Sequence, residues 1–240
     1  MGYIPPHQIE GHTPSSPSSS GTGGVFRIPK EATTIAKRLI FTTANANKDR
    51  PGTVRYVRRL RKITRRMAKR RSRKGARVAG VLGLQEIGRG PKSTKLRGVR
   101  VNLRNKERWS LGSVGVHRAA AVGWVKLDGE DICVIDVHGL HVRSTSRSAQ
   151  SAYFMALHRR IQALEALGHS WVVMGDFNLN HKAVARILGG TSVGEKIDGI
   201  VVSSDLKVRK LRTVRFGMRK RWTDHPAVIA IVRRKKTSRV

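Results

Sequence analysis

Three short apolar runs stop abruptly at a carboxylate or an amide, and this pattern constrains the fold more than any other feature. "LIFTTANAN" (39–47) ends in polar residues, with Asn45 at the close of its apolar stretch. "VAGVLGLQEI" runs out at Gln85 and Glu86. "WVVMGDFN" ends at Asp176, with Asn178 two residues on. Runs this short and this apolar read as buried strands. Strand ends gather on one side of a sheet, so polar residues placed there can converge.

The rest of the chain alternates strands with helices. "AAAVGWVKL" and "DICVIDVHGLHV" read as adjacent strands joined by the turn "DGED". The stretch 146–168 reads as a helix with Phe154, Leu157, Ile161, Leu164 and Leu167 on its apolar stripe and Gly168 as its cap. A short helix is expected over 182–188, with Asn180 as N-cap and Gly189 past its end. "KIDGIVVS", "LKVRKLRTV" and "AVIAIVRR" supply the last strands, and 89–108 reads as a basic loop. The expected class is α/β (α+β).

Charge narrows the partners. Lys and Arg number 49 against 15 Asp and Glu, a formal net charge of +34. Self-repulsion of that size opposes compaction, so a polyanion is the natural partner, nucleic acid first and an anionic membrane surface second. Residues 55–77 hold 13 Lys/Arg in 23 positions, with Val57, Leu60, Ile63 and Met67 at helical spacing. The outer face of that amphipathic helix is either solvated or in contact with a polyanion. Residues 13–24, "TPSSPSSSGTGG", read as a flexible linker, so 1–24 is expected to be a disordered tail and 25–240 one domain. The single Cys133 excludes an internal disulfide. No apolar stretch reaches the ~18 residues of a membrane span. No basic segment precedes an apolar one at the start, so no secretory signal is expected. These features fit a monomer that is cytoplasmic or associated with nucleic acid.

The few acids are placed informatively. Glu86, Asp176, Asp198 and Asp224 each stand at a strand end or a loop mouth, Asp224 beside His225 in "WTDHPAVIAIV". Clustered carboxylates repel unless a cation sits between them. Oxygen ligands without Cys or a tight His pair suit Mg²⁺ or Mn²⁺ better than zinc. An Asp-His pair beside such a cation supplies the parts for metal-assisted phosphoester hydrolysis.

In order, Asn45, "LQE" (84–86), "VHGL" (137–140), "GDFN" (175–178), "ID" (197–198) and "DHP" (224–226) resemble the endonuclease/exonuclease/phosphatase superfamily, over about residues 38–233. The resemblance implies a deoxyribonuclease I-like, two-sheet sandwich flanked by helices, with the site at one end of the sheets. It implies Glu86 as the main metal carboxylate, helped by Asn45, with Asn47 as a rival, and Asp224 completing the metal site. Asp176 and Asn178 would position water and phosphate oxygens. His225, oriented by Asp198, would act as proton acceptor or charge stabiliser. His138 would touch a phosphate oxygen, with His141 as a competitor. Two departures stand out: the extra Gly139 in "VHGLHV", and Ala119 where related nucleases place an acid to pair with the His. No Tyr is available on the His138 strand, which disfavours an abasic-site specialist.

The implied activity is metal-dependent phosphodiester cleavage, and the charge favours DNA, then RNA. Arg97, Arg100, Arg104, Arg147, Lys207, Arg209, Arg212 and Arg215 are expected to flank the site and contact phosphates. The alternatives are an inositol-phosphate or phospholipid phosphodiesterase of the same fold, and a non-catalytic binder of nucleic acid or anionic membrane.

Overall fold

Each unbroken apolar run is a strand packed on both faces. The computed structural model describes residues 36–47, 52–72, 77–87, 94–113, 116–141 and 144–235. The tail 1–24 and residues 73–76 of the expected basic helix lie outside them. One sheet contains β1 (Arg38–Asn45), β2 (Val78–Gln85), β3 (Lys95–Val99), β10 (Leu206–Val214) and β11 (Ala227–Arg234), in the order β10-β11-β1-β2-β3. The other contains β4 (Arg104–Ser113), β5 (Val116–Leu127), β6 (Glu130–His138), β7 (Ser170–Asp176), β8 (Thr191–Glu195) and β9 (Asp198–Val202), in the order β4-β5-β6-β7-β9-β8. Helix α1 (Thr53–Arg71) covers the outer face of the first sheet. Helices α2 (Arg147–Ala166) and α3 (His181–Leu188) cover the second, and a single turn, α4 (Phe216–Arg219), precedes β11. The result is the two-sheet sandwich flanked by helices that the resemblance implies.

Strand alternation divides the core into three parts. Leu39 and Phe41 of β1 face Val134 of β6 and Met174 of β7 between the sheets. Ile40 and Ala44 of β1 face α1. Cys133, Ile135, Trp171 and Val173 face α2 and α3. Full burial of an aliphatic side chain such as Leu60 contributes ~1.5–3 kcal/mol. Among the described residues no helix is long and apolar enough to cross a membrane, and Cys133 is free and buried.

Four sequence expectations need correction. The buried row of α1 is Tyr56, Leu60, Thr64 and Ala68, while Val57, Ile63 and Met67 are only partly buried beside it. Small residues on that row let the helix approach the sheet closely, and the Thr64 and Thr42 hydroxyls share a 2.8 Å hydrogen bond. Leu167 is not on the α2 stripe: it is the exposed C-cap residue. The helix closes beyond it, where Gly168 and His169 N–H groups donate to the Glu165 and Leu164 carbonyls. The expected basic loop is instead largely β3 and the start of β4, with Leu96, Val99 and Trp109 inward. Strand β8 was not expected at all. The N-caps fall as expected for α3, where the Asn180 side chain accepts from Lys182 N–H, and Gly189 ends the helix.

The edge strand β10 carries a register shift between Lys210 and Arg212. Lys210 Nζ and Thr213 Oγ1 both donate to Glu195 Oε2 (3.1 and 3.3 Å), although they stand three positions apart. The extra residue turns Arg212 and Val214 to the outer, α1-facing side.

Candidate active site

Pairing directions explain how the polar residues meet. Strands β1 and β2 are parallel and end together, Asn45 opposite Gln85. Strands β6 and β7 are also parallel, His138 opposite Asp176. Strand β9 runs antiparallel to β7, so its first residue, Asp198, lies opposite Asp176. Strand β11 runs antiparallel to β1, which brings the residues just before Ala227 to the Asn45 end.

The Asn45 amide is the hinge of the cluster. Its Nδ2 donates to Glu86 Oε1 and to Asp176 Oδ2, both at 3.0 Å. Its Oδ1 accepts from Asn47 N–H (3.1 Å), and Asn47 Nδ2 reaches Asp224 Oδ1 at 3.4 Å. Asp176 Oδ1 accepts from Asn178 N–H at 2.9 Å. His138 Nε2 lies 3.4 Å from Glu86 Oε1 and 3.8 Å from Asp176 Oδ2. His225 Nδ1 is hydrogen-bonded to Asp198 Oδ2 at 3.0 Å and lies 3.6 Å from Asp176 Oδ2. His141 is exposed, and its charge acts on His138.

The two histidines are tuned in opposite directions. Burial, then the Arg118 charge, lowers His138 to about 4, so at neutral pH its contacts with Glu86 and Asp176 are not ion pairs. Burial also opposes a charge on His225. There the Asp198 hydrogen bond and the charges of Asp198, Asp176 and Asp224 win, raising it to about 9. Burial lifts Asp198 to about 6 against the pull of His225.

This sets a pH dependence of stability. A His raised above its unfolded value contributes stability that is complete below ~6.5 and lost as pH rises through its folded value. The cost of ionising buried Asp198 is already in place above about pH 6. The melting temperature of the metal-free protein should therefore fall from pH 7.5 to 9.5, by an amount corresponding to ~2 kcal/mol. Asp198→Asn should flatten that decline. A flat wild-type profile would contradict a charged His225.

Backbone geometry at the site is unusual. Glu86 has φ 52°, Asn178 φ 49° and Asn47 φ 43°. For Glu, which has no special tolerance of this region, such a conformation costs on the order of 1–3 kcal/mol and is held by its surroundings. Two glycines are dictated by close approach. A Cβ on Gly175 would lie 1.9 Å from the Val137 carbonyl oxygen, and one on Gly139 would lie 2.0 Å from that of Phe177. Gly139 O also accepts from Asn178 Nδ2 (3.0 Å) and Arg118 Nη1 (3.1 Å). The extra Gly139 is therefore the anchor that places the GDFN turn.

Several site residues were missed by sequence. Arg118 brings positive charge beside His138 and sits next to Ala119 in "VHRAAAV". Thr223 is buried, donating to Asn45 O (2.8 Å) and accepting from His225 N–H (3.1 Å). Its place two residues before the His was the available signal. Asp136 is buried between the sheets, accepting from Gln85 Nε2 and from Leu84 and Lys95 N–H groups. Burial pushes its carboxyl well above the usual range, against those bonds. It fixes the end of β2 and hence Glu86.

Asp176, Asp198 and His225 present ligand atoms within 4.8 Å of one another, a group able to hold a metal ion. Asp198 Oδ1 is buried and has no hydrogen-bond partner. Asp224, expected among the metal residues, lies outside that compact group. The expected phosphate-contacting residues separate. Arg212 and Arg215 lie toward the site end of β10, where Val214 pairs with Ala227. Arg147 starts α2, whose Gln150 donates to Leu140 O and Asn178 O. Arg97 is mid-strand. Arg100, Arg104, Lys207 and Arg209 lie toward the opposite end: Arg100 follows β3, which runs antiparallel to β2, while Arg104, Lys207 and Arg209 lie in the first halves of β4 and β10, which run parallel to the strands that end at the site. Arg104 is also paired with Asp131 at 3.0 Å.

No family model and no curated protein matches the sequence. Solved structures do match the fold. An endonuclease/exonuclease/phosphatase family protein from Bacteroides thetaiotaomicron is 15% identical with a TM-score of 0.54, covering 81% of this chain and 97% of its own. Caenorhabditis elegans TDP2 is 15% identical with a TM-score of 0.57, covering 81% and 75%. A mannosyl-6-phosphatase from Bacteroides thetaiotaomicron is 15% identical with a TM-score of 0.53, covering 81% and 99%.

Proposed function

With the endonuclease/exonuclease/phosphatase fold as premise, we propose that this chain is a Mg²⁺- or Mn²⁺-dependent phosphodiesterase that hydrolyses nucleic acid, DNA before RNA. The observation that carries the reading is the Asn45 amide bonded to both Glu86 and Asp176, beside a His225–Asp198 pair. Glu86 and Asp176, positioned by the Asn45 amide, would hold the cation. Its fit rests on hard oxygen donors brought close together. The compact Asp176–Asp198–His225 group suits it less well, because His225 is protonated to about pH 9 and its Nδ1 is engaged by Asp198. When bound, the cation would neutralise charge on the phosphoryl oxygens.

The protein's own groups divide the remaining work. Asp176 orients the attacking water, and Asn178, fixed by Gly139 O, positions phosphate oxygens. Neutral His138 offers a ring nitrogen to a phosphate oxygen without delivering a full charge. His225, charged and held at Nδ1, stabilises the transition state through its Nε2 side and gives its proton to the leaving oxygen, while Asp176 takes the proton of the attacking water. The fold also serves a mannosyl-6-phosphatase, so it does not choose a substrate. The charge of +34 supports nucleic acid, since a sugar phosphate needs only a compact pocket. Arg147, Arg212 and Arg215 are the contacts nearest the site.

The purified chain should cleave supercoiled plasmid, and more weakly RNA, with Mg²⁺ and not with excess chelator. Undiminished cleavage in chelator would overturn the metal role. Hydrolysis of an anionic phospholipid or inositol phosphate without plasmid cleavage would overturn the substrate.

A further inference from the structure

A groove of about 860 Å³ runs between α1 and the outer side of β10 and α4. One wall is Arg55, Arg58, Lys62 and Arg66 on successive turns of α1; the other is Arg212 and Arg219. Among the described residues no acidic one lines it. The mechanism uses none of the α1 residues. We propose that this groove is a second phosphate track, which holds the backbone of a nucleic acid as it leaves the active site; the proposal rests on the nuclease reading.

The groove begins at the rim of the site. Just before Arg55, Thr53 Oγ1 donates to Asn47 O (2.9 Å), and Asn47 in turn reaches Asp224. On the other wall, α4 is followed within a few residues by Thr223 and His225. Arg55 and Arg66 are eleven residues apart on α1, ~16 Å at about 1.5 Å per residue. That length matches roughly four to five phosphates of one strand at about 3.4 Å of duplex axis each.

Shape and floor favour nucleic acid over a membrane. A bilayer surface is flat and would bridge a concave groove, leaving its walls unused. The apolar floor offers nothing for insertion: Val214 is buried, and the Phe216 ring is covered by the Arg59 guanidinium 4.4 Å from its centre. The β10 bulge is what turns Arg212 into this wall instead of toward Glu195.

The test uses two triple variants of the full chain with equal loss of charge on the same helix. One is Arg58→Ala, Lys62→Ala and Arg66→Ala in the groove. The other is Arg61→Ala, Arg65→Ala and Lys69→Ala outside it. All six side chains are exposed, and Ala favours helix, so both should fold. For a duplex of about 30 base pairs, the groove variant should show a log affinity against log salt slope shallower by about 2 to 3, near 0.9 per lost contact. The other variant should change it by less than about 1. Cleavage of the long duplex by the groove variant should fall at least ~10-fold, while turnover of bis(p-nitrophenyl) phosphate stays at the wild-type rate. Equal slope changes in the two variants would overturn the groove and leave a diffuse field. Loss of binding to anionic phospholipid vesicles with an unchanged DNA slope would overturn it in favour of a membrane. If wild-type protein with Mg²⁺ fails to cleave either substrate, the nuclease reading falls. A selective slope change in that case would still support the groove as a nucleic-acid surface.

Discussion

Glu86→Gln should lower phosphodiester turnover by ~10²-fold or more while leaving the melting temperature close to that of the wild type. The exchange keeps volume and shape, and a Gln Oε1 can still accept from Asn45 Nδ2, so the hinge of the cluster survives. What disappears is the negative charge that would balance a cation. The side chain is only 34% exposed, and its backbone sits at φ 52°, so its direction is set by the end of β2 and not by solvent. Turnover measured at saturating Mg²⁺, with a melting curve on the same sample, decides the matter. Near-normal turnover with an unchanged curve would mean that the chemistry is centred elsewhere.

Gly139→Ala should unfold the protein at a temperature lower by roughly 6–12 °C, corresponding to ~3 kcal/mol for a chain of this size. The added methyl would sit 2.0 Å from the Phe177 carbonyl oxygen, inside any allowed contact. Relief requires the ends of β6 and β7 to part. Asn178 and Arg118 would then lose their shared acceptor, and the Gly139 N–H its bond to Asp176 O. Activity should fall with stability, because His138 and Asp176 close those two strands. Thermal denaturation is the check; a shift of less than ~2 °C would show that the loop absorbs the methyl freely.

The sequence disclosed the fold where burial left no choice. Strands β1, β2, β6 and β7 are packed on both faces, so their apolar runs are unmistakable. Strand β3 was hidden because its one inward stretch, Leu96 to Val99, is set among Arg and Lys, and β8 because it is only partly buried. The α1 row was misjudged because the largest apolar side chains were taken for the buried ones, whereas closeness to the sheet demands Thr64 and Ala68. At the site, the residues at strand ends could be named, and the structure brings Asn45, Glu86, His138, Asp176, Asp198 and His225 together. Arg118 and Asp136 could not be named, because each acts through backbone groups that only the fold supplies, and Thr223 had no signal but its place two residues before His225. The distant placement of Arg100 and Lys207 was equally invisible: strand direction, not proximity in sequence, decides which end a side chain occupies.

The candidate site is split across the two halves of the sandwich. Asn45, Glu86 and His225 ride on one sheet; His138, Asp176 and Asp198 ride on the other. The Asn45–Asp176 and His225–Asp198 bonds therefore act as a clasp over the seam. Any sliding of one sheet across the other stretches both bonds together, so alignment of the candidate site and cohesion of the sandwich are a single mechanical property. A residue such as Phe41 or Met174, buried between the sheets, thereby shares control of the distances on which the proposed reaction depends.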